Sequence, residues 1–349
     1  MTIHFVSPMV ENVHGYVYGR LIPLCFPARV TRRSAQSRAG AHRTGARRQA
    51  RTIAARIAAM SRPVRARLSW QTLFLPSILL IFLAGAAPLR AAGPLVFAPL
   101  PTESPETVVG QWRPMLDRLG KALGTEIRIE YSVDYDEVLA KLRAGTVDLA
   151  QLGPLPYVTL KKRFPAATPI VRFKERDGKA AYTCALVALE ERKFAPRALR
   201  GRTVALTQPL STCGYLVTDA LLRQGGSTLE QNRYRYLKQH DAVAIAVARG
   251  DYDLGGMKTS IARKYAHLGV TVLAESRPLP AFSLVANGER VGPERIEQIR
   301  RFLVESDELV RADWGDNIRH GAVSAADGDF DALRALLASS PPIPEKGNF

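Results

Sequence analysis

From Leu95 onward, short apolar runs alternate with apolar stripes at helical spacing. Leu95–Ala98 reads as a strand. Val108, Trp112, Met115, Leu116, Leu119 and Leu123 then mark the buried stripe of a helix over 106–123, closed by Gly124. Ile127, Ile129 and Tyr131 alternate with polar residues as a second strand. Asp134 suits the N-cap of the next helix, whose apolar face is Val138, Leu139 and Leu142 and which Gly145 ends. Further strands are expected at 147–152, 170–173, 182–189, 203–206, 234–237, 252–255 and 270–274. Helices are expected up to Leu222 and over 242–248, 293–304 and 331–337. The Pro-rich stretch after Ser340 reads as a frayed tail. Alternation of this kind predicts α/β layers with mainly parallel sheets. The polar interval 174–179 and the prolines Pro278 and Pro280 place two crossings, near 174–182 and 275–281. The expected shape is two α/β lobes: lobe I from 94–178 plus 279–345, and lobe II from 179–278, with a ligand held between them.

The first ninety residues follow a different pattern. Arg62, Arg65 and Arg67 precede an apolar run from Leu73 to Ala87 and then small residues in PLRAAG. The run is short for a membrane span and suits an export signal over 60–91. Residues 1–59 show no apolar periodicity and read as a non-translated or disordered leader, with translation starting at Met60. An uncleaved membrane anchor is the alternative. No Cys follows the apolar run, which argues against a lipoprotein anchor. Either way the body is placed outside the cytoplasmic membrane, in the periplasm.

This division changes the meaning of the charge. The formal net charge is +17, but residues 1–68 carry thirteen arginines against one acid, Glu11. The rest is only mildly basic, so a nucleic-acid role is not expected. Two of the three cysteines, Cys184 and Cys213, lie in the body. An oxidising compartment permits a bridge between them, and sequence leaves the pairing open.

The candidate chemistry sits at helix starts. Gln208-Pro-Leu-Ser-Thr-Cys-Gly-Tyr215 lies between a strand and a helix. Unpaired N–H groups, the Ser211 and Thr212 hydroxyls and the bare backbone of Gly214 would together cradle an oxyanion. The competing reading is a plain N-cap. Thr102 and Ser104 open the first long helix, Asp134-Tyr135 another, and His240-Asp241 a fourth. The competing reading is capping at Thr102 and Ser104, surface packing at Tyr135 and an exposed cap neighbour at His240, and periodicity cannot show convergence. The metalloprotease, Walker and nucleophile-elbow motifs are absent, and no cofactor is expected.

In order, Pro101-Thr-Glu103, Asp134-Tyr135, Val147-Asp-Leu-Ala150, Gly153-Pro-Leu-Pro-Tyr157, Ser211-Thr-Cys-Gly-Tyr215, His240, Ala-Val-Ala-Arg-Gly250 and Asp251-Tyr-Asp-Leu254 resemble the phosphate/phosphite/phosphonate ABC-transporter substrate-binding proteins (PhnD-type). The resemblance runs from about Leu95 to Val304. It implies a type II periplasmic-binding fold with a two-crossing hinge, a small phosphorus oxyanion as ligand, and an ABC permease at the inner membrane as partner. It also implies a monomer and no catalysis. Carried over by position, the ligand contacts are Thr102, Tyr135, Tyr182, Ser211, Thr212, Cys213, Gly214, Tyr215 and His240. Cys213 stands where relatives usually have Ser, which removes one hydroxyl or replaces it by a weaker thiol donor. Pro156 replaces a common Ser. Ser260 and Phe282 stand where carboxylates would meet an amine, so an aminoalkylphosphonate is not the expected ligand. A sensor feeding a membrane signalling partner is the second reading, and an enzyme on a related fold the third.

Overall fold

The computed structural model describes residues 93–192, 194 and 199–349. The expected leader and export signal lie outside the described residues. Among the described residues no helix is long and apolar enough to cross a membrane.

The chain opens with β1 (Leu95–Ala98), α1 (Pro105–Leu123), β2 (Ile127–Ile129), α2 (Tyr135–Ala144), β3 (Leu149–Leu152), α3 (Pro154–Arg163) and β4 (Ala167–Phe173). It crosses through β5 (Ala181–Tyr182) into β6 (Cys184–Leu189), β7 (Thr203–Leu206), α4 (Tyr215–Gln224), β8 (Arg233–Tyr236), α5 (His240–Ala248), β9 (Leu254–Lys258), α6 (Thr259–Lys264) and β10 (Val270–Glu275). It returns through β11 (Leu279–Pro280) to β12 (Ser283–Asn287), α7 (Gly288–Val291), α8 (Pro293–Glu305), β13 (Ala322–Ser324) and α9 (Asp331–Ala338).

Three sheets result. Lobe I is built on the order β13-β4-β12-β3-β1-β2 and lobe II on β10-β6-β9-β7-β8. The crossings β5 and β11 pair antiparallel, Leu279 opposite Tyr182, and form the hinge. The sheets are mixed rather than mainly parallel. β1 runs parallel to β2 and β3, and β7 to β8 and β9. The strands that follow each crossing, β6 and β12, enter antiparallel.

Local chemistry explains the elements. Ser104 caps α1, accepting from the Thr107 N–H at 3.4 Å, and Pro105 fills the first helical position, where its missing N–H is harmless. The α1 stripe buries Trp112 between Phe97 and Phe173, with ring centroids 4.7 and 5.5 Å away. Burying side chains of that size contributes roughly 2 kcal/mol each. The strand pairs are pinned by carboxylates. Asp148 accepts from the Val96 N–H (2.8 Å) and from Arg290 (2.7 Å). Asp253 accepts from the Thr203 N–H (3.0 Å) and from Arg192 (2.8 Å).

The tail does not fray. Asn348 donates its N–H to the Tyr234 carbonyl (3.1 Å) and accepts from the Tyr234 N–H (2.7 Å). Tyr236 donates to the Pro344 carbonyl at 2.8 Å. Residues of the tail thus lie along β8 of lobe II. The Pro-rich composition read as loose because its partners are groups on β8, distant in sequence.

Candidate functional site

The two lobes meet around a small chamber. Its lining includes Tyr135, Gly153, Ser211, Thr212, His240 and Lys258. The chamber opens into a wider cleft, whose wall includes Thr102, Glu175, Ser260 and Lys264.

Lobe I supplies two helix starts. Asp134 caps α2 by accepting from the Glu137 N–H at 2.9 Å, and this sets Tyr135 at the first helical position. Tyr135 is buried, and the Ser211 hydroxyl of lobe II hydrogen-bonds its phenol. Burial pushes that phenol well above its usual range, so it stays a neutral donor. The Tyr135 N–H donates across the lobes to Gln208 Oε1 at 3.0 Å. The second start is α3, where Gly153 is the N-cap and Pro154 and Pro156 occupy the first turn. The Leu155 N–H, between the prolines, donates to Thr212 Oγ1 at 3.0 Å.

Lobe II supplies the loop before α4. It is wound tightly, with Ser211 N–H donating to the Gln208 carbonyl and Gly214 N–H to the Ser211 carbonyl, both at 2.9 Å. A Cβ on Gly214 would sit 2.5 Å from the Gln208 carbonyl oxygen, so the winding requires glycine there. Ser211 and Thr212 are buried and present hydroxyls to the chamber.

His240 opens α5 and is buried. Its Nδ1 accepts from the Lys258 N–H at 3.2 Å, which leaves Nε2 to carry the proton of the neutral ring. Burial first, and the neighbouring Lys258 charge second, push its pKa down to about 3. It is therefore a neutral N–H donor at physiological pH.

The hinge itself closes the chamber. Tyr182 on β5 faces Phe282, just after β11, with ring centroids 5.4 Å apart. Its phenol is hydrogen-bonded by the Thr212 hydroxyl and is held neutral by burial.

The expected contacts are thus distributed unevenly. Tyr135, Tyr182, Ser211, Thr212, Cys213 and His240 line the chamber together. Thr102 lines the wider cleft, its carbonyl accepting from the His240 N–H at 3.3 Å. Gly214 shapes the loop, and its N–H is already bonded within it. Tyr215 turns its hydroxyl away, donating to Glu230 at 2.8 Å inside lobe II.

The thiol expected at Cys213 does not exist. Cys213 is bridged to Cys184 at the start of β6, with Cα atoms 5.2 Å apart, so its sulfur has no hydrogen to donate. The bridge pins the oxyanion-type loop to the sheet. Sequence reasoning also missed Lys258. A lysine at the end of LGGMK reads as a solvated strand terminus. Its side chain is only 8 % exposed and pairs with Glu175 of lobe I at 2.6 Å.

The arrangement gathers neutral hydroxyl, phenol and imidazole donors from both lobes around one small space, with one buried ammonium beside it. Such a set can donate hydrogen bonds to an anion from both lobes.

Comparison with known proteins finds relatives in sequence and in fold. The phosphate-import protein PhnD of Mycolicibacterium smegmatis is 26 % identical over 268 residues, covering 69 % of this chain and 84 % of that protein. PhnD1 of Prochlorococcus marinus, solved in complex with methylphosphonate, superposes with a TM-score of 0.61 at 14 % identity, over 70 % of this chain and 97 % of that one. A binding-protein component of an ABC phosphonate transporter from Pseudomonas aeruginosa superposes with a TM-score of 0.61 at 19 % identity, over 70 % and 86 % of the two chains. These relatives are transport binding proteins, not enzymes, and the fold is the type II periplasmic-binding fold. The model of the ABC transporter phosphonate periplasmic substrate-binding proteins matches residues 97–345, and the chain belongs to that family.

Proposed function

We propose that the protein captures a phosphorus oxyanion (phosphonate, phosphite or phosphate) in the interlobe chamber and delivers it to an ABC permease at the inner membrane. The observation that carries this reading is the chamber lining. Tyr135 from lobe I and Ser211, Thr212 and His240 from lobe II are neutral donors that meet from opposite sides. A relative named for phosphate import and a fold neighbour holding methylphosphonate support the ligand class.

Direct contacts are assigned to Tyr135, Tyr182, Ser211, Thr212 and His240. Thr102 approaches from the cleft. The N–H groups of Thr212 and Cys213, which donate to none of the described loop carbonyls, add to the cradle. Lobe I is taken as 94–178 with 279–345 and lobe II as 179–278, each moving about the β5–β11 hinge. Bound anion bridges the lobes and favours the closed form, which docks on the permease as a monomer.

The ligand carries no amine. Ser260 lies in the wider cleft and Phe282 in the chamber, and neither supplies a carboxylate to neutralise an ammonium. The test is calorimetric titration of the exported body with phosphate, phosphite, methylphosphonate, 2-aminoethylphosphonate and sulfate. Tight binding of at least one of the first three is expected, with a matching rise in melting temperature. Binding of sulfate or 2-aminoethylphosphonate alone would refute the assignment.

A further inference from the structure

Lys258 has an environment that a surface ion pair does not have. It ends β9 and serves as N-cap of α6, with its side chain 8 % exposed. Its Nζ lies 5.4 Å from the ring centres of both Tyr182 and Phe282, which themselves line the chamber. Among the described residues its carboxylate partner is Glu175, which follows β4 in lobe I and takes one of its three ammonium donors. The nearby acids are engaged elsewhere: Glu103 pairs with Lys264 at 3.3 Å, and Glu275 with Arg263 at 3.4 Å. The corresponding N-cap in lobe I is Gly153, where no side chain is present. Among the described residues the chamber lining therefore has one charged side chain, and it comes from lobe II.

We infer that Lys258 is the specificity-determining cation of the chamber: it favours phosphorus anions of high charge and rejects those that carry an ammonium group. This rests on the oxyanion reading above. In a site of low dielectric a second cation beside Lys258 is repelled, whereas an anion is attracted to the ammonium and to the donors that Glu175 does not take. The Lys258 peptide N–H also fixes the His240 ring, so one residue sets both the charge and the neighbouring donor. Glu175 holds the ammonium until ligand shares it. The competing explanation is that Glu175 and Lys258 form only a tie between lobes.

The test is calorimetric titration of wild type, Lys258→Met, Lys258→Gln, Lys258→Arg and Glu175→Gln with phosphate, phosphite, methylphosphonate and 2-aminoethylphosphonate, with thermal melts in parallel. Lys258→Met and Lys258→Gln should each lose roughly thirtyfold in affinity for phosphate or methylphosphonate, the loss expected for removing one nearby charge. Their preference for methylphosphonate over 2-aminoethylphosphonate should collapse. Lys258→Arg should keep most of both. Glu175→Gln should bind equally well or up to about tenfold more tightly, because ligand then becomes the ammonium's main counter-charge. Lys258→Gln keeps a polar head and serves if Lys258→Met does not fold. Wild-type affinity and preference in the folded neutral variants would overturn the inference. So would equal losses in Lys258→Met and Glu175→Gln, the signature of a simple tie. A wild type that binds none of phosphate, phosphite and methylphosphonate, while these melts show a folded protein, would overturn the oxyanion reading itself.

Discussion

Laid side by side, the two lobes are variations on one plan. Lobe I without β13 runs β4-β12-β3-β1-β2, and lobe II runs β10-β6-β9-β7-β8, with matching parallel and antiparallel pairings. At one constant offset along the chain, Tyr135 matches His240, Gly145 matches Gly250, Asp148 matches Asp253, Leu149 matches Leu254 and Gly153 matches Lys258. Gly145 and Gly250 both take positive φ, 73° and 76°, where each helix ends. The two aspartates do the same work, each accepting an N–H at the start of the neighbouring parallel strand, from Val96 and Thr203. The scaffold is repeated, and the chemistry has diverged at the helix starts that face the chamber. Lobe I offers a phenol and a bare backbone, whereas lobe II offers an imidazole and an ammonium.

Experiments on matched positions would break or sharpen this comparison. The largest effect belongs to lobe II alone. Replacing Cys184 and Cys213 by Ser opens a link spanning 29 residues. That should cost about 3–4 kcal/mol of stability and loosen the Ser211–Thr212 loop, weakening anion binding. Denaturant unfolding with and without reductant checks it; an unchanged midpoint would show the bridge is dispensable.

Next come the paired aspartates. Asp148→Ala leaves the Val96 N–H and Arg290 without their acceptor, at a side chain only 4 % exposed. A loss of about 3 kcal/mol is expected. Asp253, at 23 % exposure, should lose only about 1–2 kcal/mol when changed to Ala. If the order were reversed, the aspartates would not be equivalent struts.

Acid should separate the lobes. His240 is held neutral when folded, with its pKa lowered to about 3 from 6.5. The unfolded chain therefore takes up a proton that the folded one refuses. Stability is complete above about pH 6.5 and falls as pH drops towards 3, at up to roughly 1.4 kcal/mol per pH unit. Its lobe I counterpart, Tyr135, has its pKa moved upward and adds no such slope in acid. His240→Gln should flatten the acid limb of the stability profile, and a limb of undiminished steepness would locate the effect elsewhere.

Gly153→Ala should act on binding rather than folding. A Cβ there meets Phe282 at 3.4 Å and Thr212 Oγ1 at 3.6 Å, which is ordinary contact. The melting temperature should hold while affinity drops about tenfold, or about 1.4 kcal/mol, because the methyl group fills anion space. Unaltered affinity would place the ligand away from α3. The smallest effect is expected at Asn348→Ala, about 1 kcal/mol from lost bonds to Tyr234, read by thermal unfolding.

Much of the scaffold is legible in the sequence because its signals are local. The Asp134 cap, the terminating Gly145 and the α1 stripe all act within one or two helical turns, and the structure shows each. What escapes depends on distant partners. β12, Ser283–Asn287, is buried along its whole length between β3 and β4 and so has no alternation to read. α3 is hidden because its two prolines look like turn punctuation, although a first helical turn accepts them. The site divides in the same way. Tyr135, Ser211, Thr212 and His240 announce themselves as helix starts. Lys258 becomes a chamber residue only because Tyr182, Phe282 and Glu175 arrive from other parts of the chain. The lobe repeat escapes too, since the shared residues are few and the likeness lies in strand order.

The tail on β8 has a consequence for life at high concentration. β8 is the outermost strand of its sheet, and such a strand offers free main-chain groups to any passing extended segment. Asn348 already occupies the Tyr234 positions that an intruding chain would claim. The tail thereby shields that flank from pairing with an extended segment of another copy.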